Sequence, residues 1–400
     1  MVCCLALCSL STAVLTCALV GDTFTLENLT YTVLTESSST GTVSVKNSST
    51  NISGILNIPV SVKNGTVTYK VKKIEDYGFQ YCGNLTSVVI PEDVDYIGWE
   101  AFADCGNLKD IKLPEGGFVM ISTYAFNRSG LQSLYIPMNT YWNPCQFTGY
   151  ANGCDELRSV TVHPENPYLC SIDGVMYSKD KTIICLYPAK RSGTSYEIPN
   201  TVETIFQNAF SGARYLKEIV IPDSVTIIKD LAFRDCTGLK SIIVPDRVMA
   251  LGHNGNGSIF DGCTSLESVT LGRSLETIKS YAFYGCTNLK SVYYKGNAPR
   301  VGEYIYGWTP SSLISYYPEG NSSWKSAIRN GQWQDRGTAT WNPPVPPKVS
   351  YKQKNNTLTL TFTGTLQEST DCKKWTTVSG TQGTYTVKTG KNKKFYRCAQ

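Results

Sequence analysis

The segment Ile97–Pro114 reads IGWEAFADCGNLKDIKLP and returns along the chain with little change. It has an Ile, an Ala-Phe pair four residues later, a Cys, and then the pattern Leu-x-x-Ile-x-Leu-Pro. Five further copies have similar spacing: Ile74–Pro91, Ile121–Pro137, Ile205–Pro222, Ile228–Pro245 and Ile278–Gly296. Self-similarity at a fixed period is typical of a solenoid, in which each repeat forms one turn and stacks on the next.

The prolines that end the repeats show the length of one turn. They follow one another at steps of 23 residues in each of two arrays, Pro91, Pro114 and Pro137 in the first and Pro199, Pro222 and Pro245 in the second. Each turn then holds a strand, a turn at Pro, a second short extended segment and a crossover that carries Ala-Phe. We expect the strands of successive turns to pair in parallel about 4.8 Å apart, with Leu, Ile and Phe pointing inward.

The sequence between and around the repeats divides into further segments. Residues 22–73 alternate with a period of two residues and predict a β-rich N-terminal cap. An irregular block between the arrays holds a degenerate repeat at Cys154–Val162 and a predicted β-hairpin, Val175–Ile184, that we expect to project from one edge of the solenoid. The predicted segments are 1–21 (leader), 22–73 (cap), 74–137 (first array), 138–199 (degenerate repeat and hairpin insert), 200–296 (second array), 297–341 (C-terminal cap), 342–347 (Pro-rich linker) and 348–400 (small basic β-sandwich).

The repeat pattern I-x-x-x-AF-x-x-C-x-x-L-x-x-I-x-IP resembles the leucine-rich repeat of the BspA type, which occurs in bacterial surface proteins and in some protozoan parasites. The resemblance implies a mostly β leucine-rich-repeat solenoid and a role in adhesion, with no catalytic residues. The tail segments LQESTDCKKWTTVSG and YTVKTGKNKKFYRC look like a C-terminal β-domain of exported proteins from Verrucomicrobia and related bacteria. Cys372 stands where that pattern usually has Gly.

Charge is unevenly distributed along the chain, whose formal net charge is +5. Residues 345–400 hold nine Lys and one Arg against two acidic residues, a local charge of +8, so the preceding residues sum to about −3. We expect the basic tail to contact an acidic envelope surface, because clustered Lys attracts anionic surfaces without specificity. Two His in 400 residues argue against His-based catalysis or a His-rich metal site.

The segment Val2–Val20 is apolar or small in character, and no charged residue precedes Asp22. It resembles the apolar region of a signal peptide, although no Lys or Arg precedes it. An uncleaved N-terminal anchor and a lipoprotein-type cleavage before Cys17 are the alternatives. We therefore predict a secreted or cell-surface protein.

Six cysteines occupy one repeat position, three residues before an inward Leu: Cys82, Cys105, Cys154, Cys236, Cys263 and Cys286. We expect them to form a row of buried thiols that pack as small hydrophobic groups. Neighbours in such a row lie about 5 Å apart, too far for the Cβ separation of a disulfide. The predicted disulfides are instead Cys170–Cys185 in the insert and Cys372–Cys398 in the tail.

Other patterns that point to chemistry are weak. Cys145 or Cys154 with His163 is the only Cys/His grouping, and we interpret it as chance composition because nucleophile and base are recognised by geometry. The Gly-rich stretch 251–257 lacks the Gly-Lys-Ser/Thr ending of a phosphate loop and is interpreted as a loop insertion. The sequence thus predicts no catalytic residue, no metal site and no cofactor.

The candidate ligand-binding residues are the x positions of Leu-x-x-Ile-x-Ile, which face outward on the predicted sheet. The first of these positions carries Lys or Arg in five of eight turns. The alternative explanation is that these lysines only keep an exposed sheet soluble. The residues selected are Lys109, Lys112, Tyr135, Arg158, Lys217, Lys240, Lys290 and Tyr293.

The preferred function is a non-enzymatic surface or secreted protein that binds a protein or glycan in adhesion. We expect a monomer with no nucleic-acid partner. One alternative is a structural envelope protein that associates with itself. Another is an accessory module of a glycan-active enzyme, which would need paired carboxylates in a cleft.

Overall fold

The computed structural model describes residues 19–122, 124–141, 154–253, 255 and 257–342, together with the strands between 349 and 399. Within these residues the protein is almost entirely β, with one short helix. Contacts divide the chain into two compact units, Met1–Thr340 and Trp341–Gln400. The predicted mostly β solenoid is confirmed.

The N-terminal cap provides the starting strand of both sheets of the solenoid. β1, β2 and β3 form an antiparallel meander, and β3 then pairs in parallel with β6. β6 pairs in parallel with the first short strand of the repeats, while β4 pairs with the first long strand. The cap strands are β1 (Thr23–Leu26), β2 (Leu29–Glu36), β3 (Thr40–Asn47), β4 (Gly54–Asn57), β5 (Ser61–Asn64) and β6 (Val67–Ile74).

Each turn of the first array contributes one long and one short strand, and the two kinds form separate parallel ladders. The strands are β7 (Leu85–Val89), β8 (Tyr96–Ile97), β9 (Asp110–Lys112), β10 (Val119–Ile121), β11 (Ser133–Ile136), β12 (Thr140–Tyr141) and β13 (Ser159–Val162). Long strands β7 and β9 pair in parallel, as do β11 and β13. Short strands β8, β10 and β12 continue the sheet of the cap.

The block between the arrays forms three antiparallel strands, β14 (Leu169–Ile172), β15 (Val175–Ser178) and β16 (Ile183–Leu186). The predicted hairpin is therefore present, but the expectation that it projects is wrong. Val175, Met176 and Tyr177 are buried in the main core. β16 pairs in parallel with the next short strand, so the hairpin begins the short-strand ladder of the second array.

The predicted Cys170–Cys185 disulfide is not formed, and both residues are free thiols. Cys170 lies on β14 and Cys185 on β16, with β15 between them. Two strand spacings place the Cα atoms about 9.5 Å apart, beyond the reach of a disulfide. The Cys170 thiol instead donates a hydrogen bond to the Ser178 carbonyl at 3.3 Å.

The second array continues both ladders with a regular register. Short strands align so that Ile228 pairs with Leu251, Leu251 with Ile278, and Ile278 with Val301. The strands are β17 (Ser195–Glu197), β18 (Thr204–Ile205), β19 (Glu218–Val220), β20 (Ile227–Ile228), β21 (Ser241–Ile243), β22 (Ala250–Leu251), β23 (Ser268–Leu271), β24 (Thr277–Ile278), β25 (Ser291–Tyr294) and β26 (Arg300–Val301).

Aromatic side chains cover the last turn. Trp324 lies on the only described helix, α1 (Ser322–Ala327), and is fully buried against Tyr294 and Trp333 at ring separations of 4.9 and 5.1 Å. Asn321 caps the helix by accepting a hydrogen bond from the Ser323 amide. The cap also contains β27 (Ile314–Pro318), β28 (Gln332–Trp333) and β29 (Arg336–Trp341).

The interior consists of columns in which each residue packs on its equivalent in the next turn. The Phe rings stack at centroid distances of 5.1–5.5 Å along Phe210, Phe233, Phe260 and Phe283. The six repeat cysteines are buried. Five of their thiols also donate to a Phe carbonyl of the preceding turn at 3.0–3.2 Å, from Cys105, Cys154, Cys236, Cys263 and Cys286. The cysteines thus act as hydrogen-bond donors as well as packing groups.

The C-terminal unit contains two three-stranded antiparallel sheets, β30–β31–β34 and β33–β32–β35. Leu360 in this unit is buried. The strands are β30 (Val349–Lys354), β31 (Thr357–Thr363), β32 (Thr365–Ser369), β33 (Thr376–Thr377), β34 (Gln382–Lys388) and β35 (Phe395–Ala399). Cys372 and the Cys398 side chain lie outside the described residues, so the predicted Cys372–Cys398 disulfide stays a prediction, as does the resemblance of this unit to a Verrucomicrobia-type domain.

Candidate functional site on the long strands

The outward side chains of the long strands form a surface that we call the long-strand face. Backbone hydrogen bonds connect equivalent residues of successive turns, from Lys240 N to Lys217 O, Glu267 N to Lys240 O and Lys290 N to Glu267 O. The same bonds connect Thr86, Lys109 and Gln132 in the first array and continue to Arg158 in the degenerate repeat. The first outward position therefore forms one straight column per array, and the hairpin insert separates the two columns.

All eight residues predicted for ligand binding lie on this face. Seven are exposed, and Tyr293 is half-buried because its ring stacks on Tyr316 at 4.7 Å. The seven exposed residues are Lys109, Lys112, Tyr135, Arg158, Lys217, Lys240 and Lys290. Their positions follow from the alternation of the strands, whereas their role in binding is a proposal.

In the second array, the column of first outward positions carries one negative charge, on Glu267, among its lysines. Lys290 forms an ion pair with Glu267 at 2.8 Å, and a hydrogen bond from Lys290 lowers the pKa of Glu267, with a smaller contribution from Lys240. Lys217 and Lys240 have no hydrogen-bond or ion-pair partner for their ammonium groups in the described part of the chain. These two residues thus provide the available positive charge of this column.

A mainly apolar outward column runs beside the lysines, and of its residues only Tyr293 was selected from the sequence. Val220 and Ile243 keep 56% and 61% of their surface exposed, and the column continues through Thr270 to the stacked pair Tyr293 and Tyr316. The signal was present in the sequence, because Val220 and Ile243 occupy outward positions where the first array has Lys112 and Tyr135. Exposed apolar groups in line with each other are characteristic of interaction surfaces.

A groove of about 1000 Å³ lies on the other ladder, along the short strands of the second array. It was also missed from the sequence. Arg247, Arg273 and Arg300 line it, together with Met249 and Glu276. Arg273 forms an ion pair with Asp246 at 3.2 Å, whereas Arg247 and Arg300 have no acidic partner among the described residues. This groove is the main alternative to the long-strand face as the location of a ligand-binding site.

Of the groups considered for catalysis, Cys154 and His163 lie within the described residues. Cys154 is buried, and burial raises the pKa of its thiol to about 11. His163 accepts a hydrogen bond from the Glu165 amide at 3.1 Å, and Cys145 lies outside the described residues.

The Gly-rich loop surrounds a carboxylate that the protein itself provides. The amides of His253, Gly255 and Gly257 donate to Asp230 at 2.9–3.3 Å. The described residues contain no group of three or more His, Cys, Asp or Glu placed to hold a metal ion. No helix in the same residues has the length and hydropathy needed to cross a membrane.

Known structures with a similar fold are bacterial leucine-rich-repeat proteins. The pneumococcal vaccine antigen PcpA is 20% identical, with a TM-score of 0.56 over 81% of this chain and 99% of the other. A leucine-rich repeat protein from Eubacterium ventriosum is 22% identical, with a TM-score of 0.52 over 72% of this chain and 82% of the other. No curated protein matches the chain.

The sequence profile that matches this chain describes the BspA type leucine rich repeat region. It matches six copies across residues 30–153 and 187–311, more than half of the chain. The match begins inside the cap, so strands β2 to β6 are counted with the repeats. The chain belongs to the BspA-type leucine-rich-repeat family.

Proposed function

We propose that the protein is a non-enzymatic binding protein, secreted or displayed at the cell surface, that contacts an extended protein ligand through the long-strand face of its second array. The observation that carries this proposal is the pairing of two columns. The unpaired lysines Lys217 and Lys240 run beside the exposed apolar residues Val220 and Ile243. A partner segment with acidic side chains next to apolar ones would complement both columns.

The backbone of the face favours binding. Parallel ladders hold β21, β23, β25 and β27 in fixed register, and the Lys240 amide donates a hydrogen bond to the Lys217 carbonyl of the preceding turn. The side chains of the face are therefore arranged before a ligand arrives. A pre-organised surface loses little conformational entropy on binding. Exposed apolar residues with charged neighbours also match the usual anatomy of an interface, an apolar centre with a polar rim.

The proposal is tested by surface plasmon resonance of the full chain over immobilised host matrix proteins, mucin and bacterial envelope fractions. For the fraction that binds, Val220→Ser/Ile243→Ser is expected to raise the dissociation constant at least tenfold, since two exposed anchors lose their apolar contacts. Val60→Ser, which changes an exposed β-branched residue of the cap, is the matched control. Equal binding by the double variant and the wild type would place the site elsewhere.

The alternative of a self-associating envelope protein predicts a different result. Light scattering at rising protein concentration would then show growing particles, and Val220→Ser/Ile243→Ser would suppress them. A constant monomer mass together with ligand capture supports the binding role.

The basic C-terminal unit is proposed to hold the protein on an acidic envelope surface. The support is its local charge of +8 in a chain whose remaining residues sum to about −3. Deleting Val345–Gln400 should release the protein from cells and leave ligand binding by the solenoid intact. Unchanged retention after the deletion would contradict the anchoring role.

A further inference from the structure

Four aromatic side chains, two of them exposed and two half-buried, form a cluster on the crossovers of the last two turns. We call the cluster the aromatic patch: Tyr281, Tyr284, Tyr304 and Trp308. Tyr281 stacks on Tyr304 at 5.8 Å, and Tyr284 lies 6.1 Å from Trp308. Trp308 and Tyr304 nevertheless keep 77% and 65% of their surface exposed. Contiguous aromatic side chains at a protein surface are characteristic of interaction and ligand-binding sites.

The backbone at Trp308 has a conformation that recurs at this position of the repeat. Trp308 has φ 58°, in the left-handed region that favours glycine. Equivalent positions of other turns also have positive φ, at Gly212, Asp235, Gly262 and Gly285 in the second array and at Tyr81, Asp104 and Arg128 in the first. Glycine is therefore compatible with the backbone at this position, and the conformation itself does not require the Trp308 ring.

Glycine appears instead at the neighbouring position, where it makes room for the patch. A Cβ atom added to Gly307 would lie 2.5 Å from the Tyr284 ring. Only glycine therefore lets Tyr284 lie across the last turn toward Trp308. Gly307 thus leaves room for the Tyr284 ring. Trp308 places a second large ring next to it, at a position where other turns have glycine.

A cavity of about 510 Å³ adjoins the patch at Tyr304, the patch residue that lines it, and its volume is within the usual range of small-molecule sites. Its lining includes Glu303, Tyr304, Gly307, Gln334, Asp335 and Arg336. The Arg336 guanidinium is held by Thr309 and by the Tyr306 carbonyl at 2.9–3.2 Å. The side chains of Glu303, Gln334 and Asp335 have no hydrogen-bond partner in the part of the chain that the structure describes and remain available to a ligand.

This combination matches the chemistry of a sugar ring. A pyranose carries a face of C–H groups that packs on the negative face of an aromatic ring. Its hydroxyls lie at the rim, where carboxylates accept hydrogen bonds and an amide both donates and accepts. The two free carboxylates disfavour an acidic sugar by repulsion. We propose that the aromatic patch, with Glu303, Gln334 and Asp335, binds a neutral hexose or N-acetylhexosamine unit of a glycan, as a second site independent of the long-strand face.

The test is isothermal titration calorimetry of the full chain with neutral hexasaccharides of glucose, galactose, mannose and N-acetylglucosamine, and with hexagalacturonate as the acidic probe. At least one neutral oligosaccharide is expected to bind with a dissociation constant of about 1 mM or tighter, and hexagalacturonate at least tenfold more weakly. Trp308→Gly should raise the constant for the neutral sugar at least tenfold. Its melting temperature should stay within about 2 °C of the wild type, because glycine suits the backbone at this position.

Tyr81→Gly is the matched control, since Tyr81 occupies the same repeat position near the other end, with φ 61° and an exposed ring. It should leave sugar binding unchanged. Glu303→Gln/Asp335→Asn should weaken binding of the neutral sugar. It should also reduce the ratio of the dissociation constant for hexagalacturonate to that for the neutral sugar. The proposal is overturned if no neutral oligosaccharide binds at millimolar concentration, if Trp308→Gly binds as the wild type does, or if Trp308→Gly lowers the melting temperature by several degrees as a structural ring would require.

Discussion

The interior and the exterior of the second array repeat in different ways. Inside, one column is Phe in four successive turns, Phe210 to Phe283, with each ring stacked on the next. Outside, the first column reads Lys217, Lys240, Glu267 and Lys290, with an ion pair in its last two turns. Packing between turns fixes the interior residue, whereas nothing in the stack requires a particular residue outside. Repetition in the interior is therefore explained by stability, and the outward columns are where selection for binding can act.

Removing one interior ring is expected to give the largest difference in stability between interior and exterior variants. Phe233 is fully buried between Phe210 and Phe260, so Phe233→Ala leaves a cavity and removes two ring contacts. We expect a loss of about 3–5 kcal/mol in the free energy of unfolding, measured by urea denaturation. Ile243→Ala on the outside, as the control, should change it by less than about 0.5 kcal/mol. Similar losses for both variants would show that the outward column is also structural.

A smaller effect is expected where the cap joins the first turn. The Glu75 carboxylate accepts hydrogen bonds from Thr32 and Ser44 at 2.7 Å and pairs with Lys46 at 3.2 Å. Burial raises the pKa of Glu75, but these partners outweigh burial and leave it below its usual value. A carboxylate with a lowered pKa stabilises the fold above its unfolded-state pKa, and that stability is lost as pH falls through the folded-state value.

Glu75→Gln should therefore cost about 1–2 kcal/mol near neutral pH and almost nothing at acid pH. Thermal unfolding followed between pH 7 and about pH 3 measures the difference. Lys70→Gln, which removes an exposed lysine paired with Asp93, is the control and should have a small effect throughout. A constant deficit for Glu75→Gln at every pH would mean that its charge does not stabilise the cap.

The cysteine column separates packing from hydrogen bonding. The Cys263 thiol donates to the Phe233 carbonyl at 3.0 Å, and burial raises the pKa of this thiol well above its usual value. Cys263→Ala is expected to cost about 1–2 kcal/mol through a small cavity and a lost donor. Cys263→Ser keeps a donor, so comparing the two variants by urea denaturation isolates the hydrogen bond. Equal losses would indicate that the thiol acts through its volume alone.

The sequence predicted those features that depend on local spacing. The 23-residue period specified the two ladders, and the outward alternation placed Lys217, Lys240 and Tyr135 on the surface. Features that depend on contacts between distant segments were not predictable. The order of β14, β15 and β16 separates Cys170 from Cys185, and spacing along the chain does not specify that order.

The sequence predicted the positions of the candidate site residues on the outer face but not the contacts that these residues make. Eight outward residues could be selected from their place in the repeat, yet the pairing of Lys290 with Glu267 depends on the register between turns. The sequence alone was enough to place Val220 and Ile243 on the outer face. Their proposed role in binding depends on their lying beside Lys217 and Lys240 in the folded sheet. The aromatic patch depends on ring contacts between neighbouring crossovers, which composition and period alone do not indicate.

The most direct test of the central claim compares charge reversal on the two ladders. Lys217→Glu/Lys240→Glu alters the long-strand face, and Arg247→Glu/Arg300→Glu alters the short-strand groove with the same change in net charge. Dissociation constants for the captured ligand, measured at low and at physiological salt, should rise at least tenfold for the lysine pair, more so at low salt, and stay unchanged for the arginine pair. Loss of binding only in the arginine pair would contradict the account and assign the ligand to the groove.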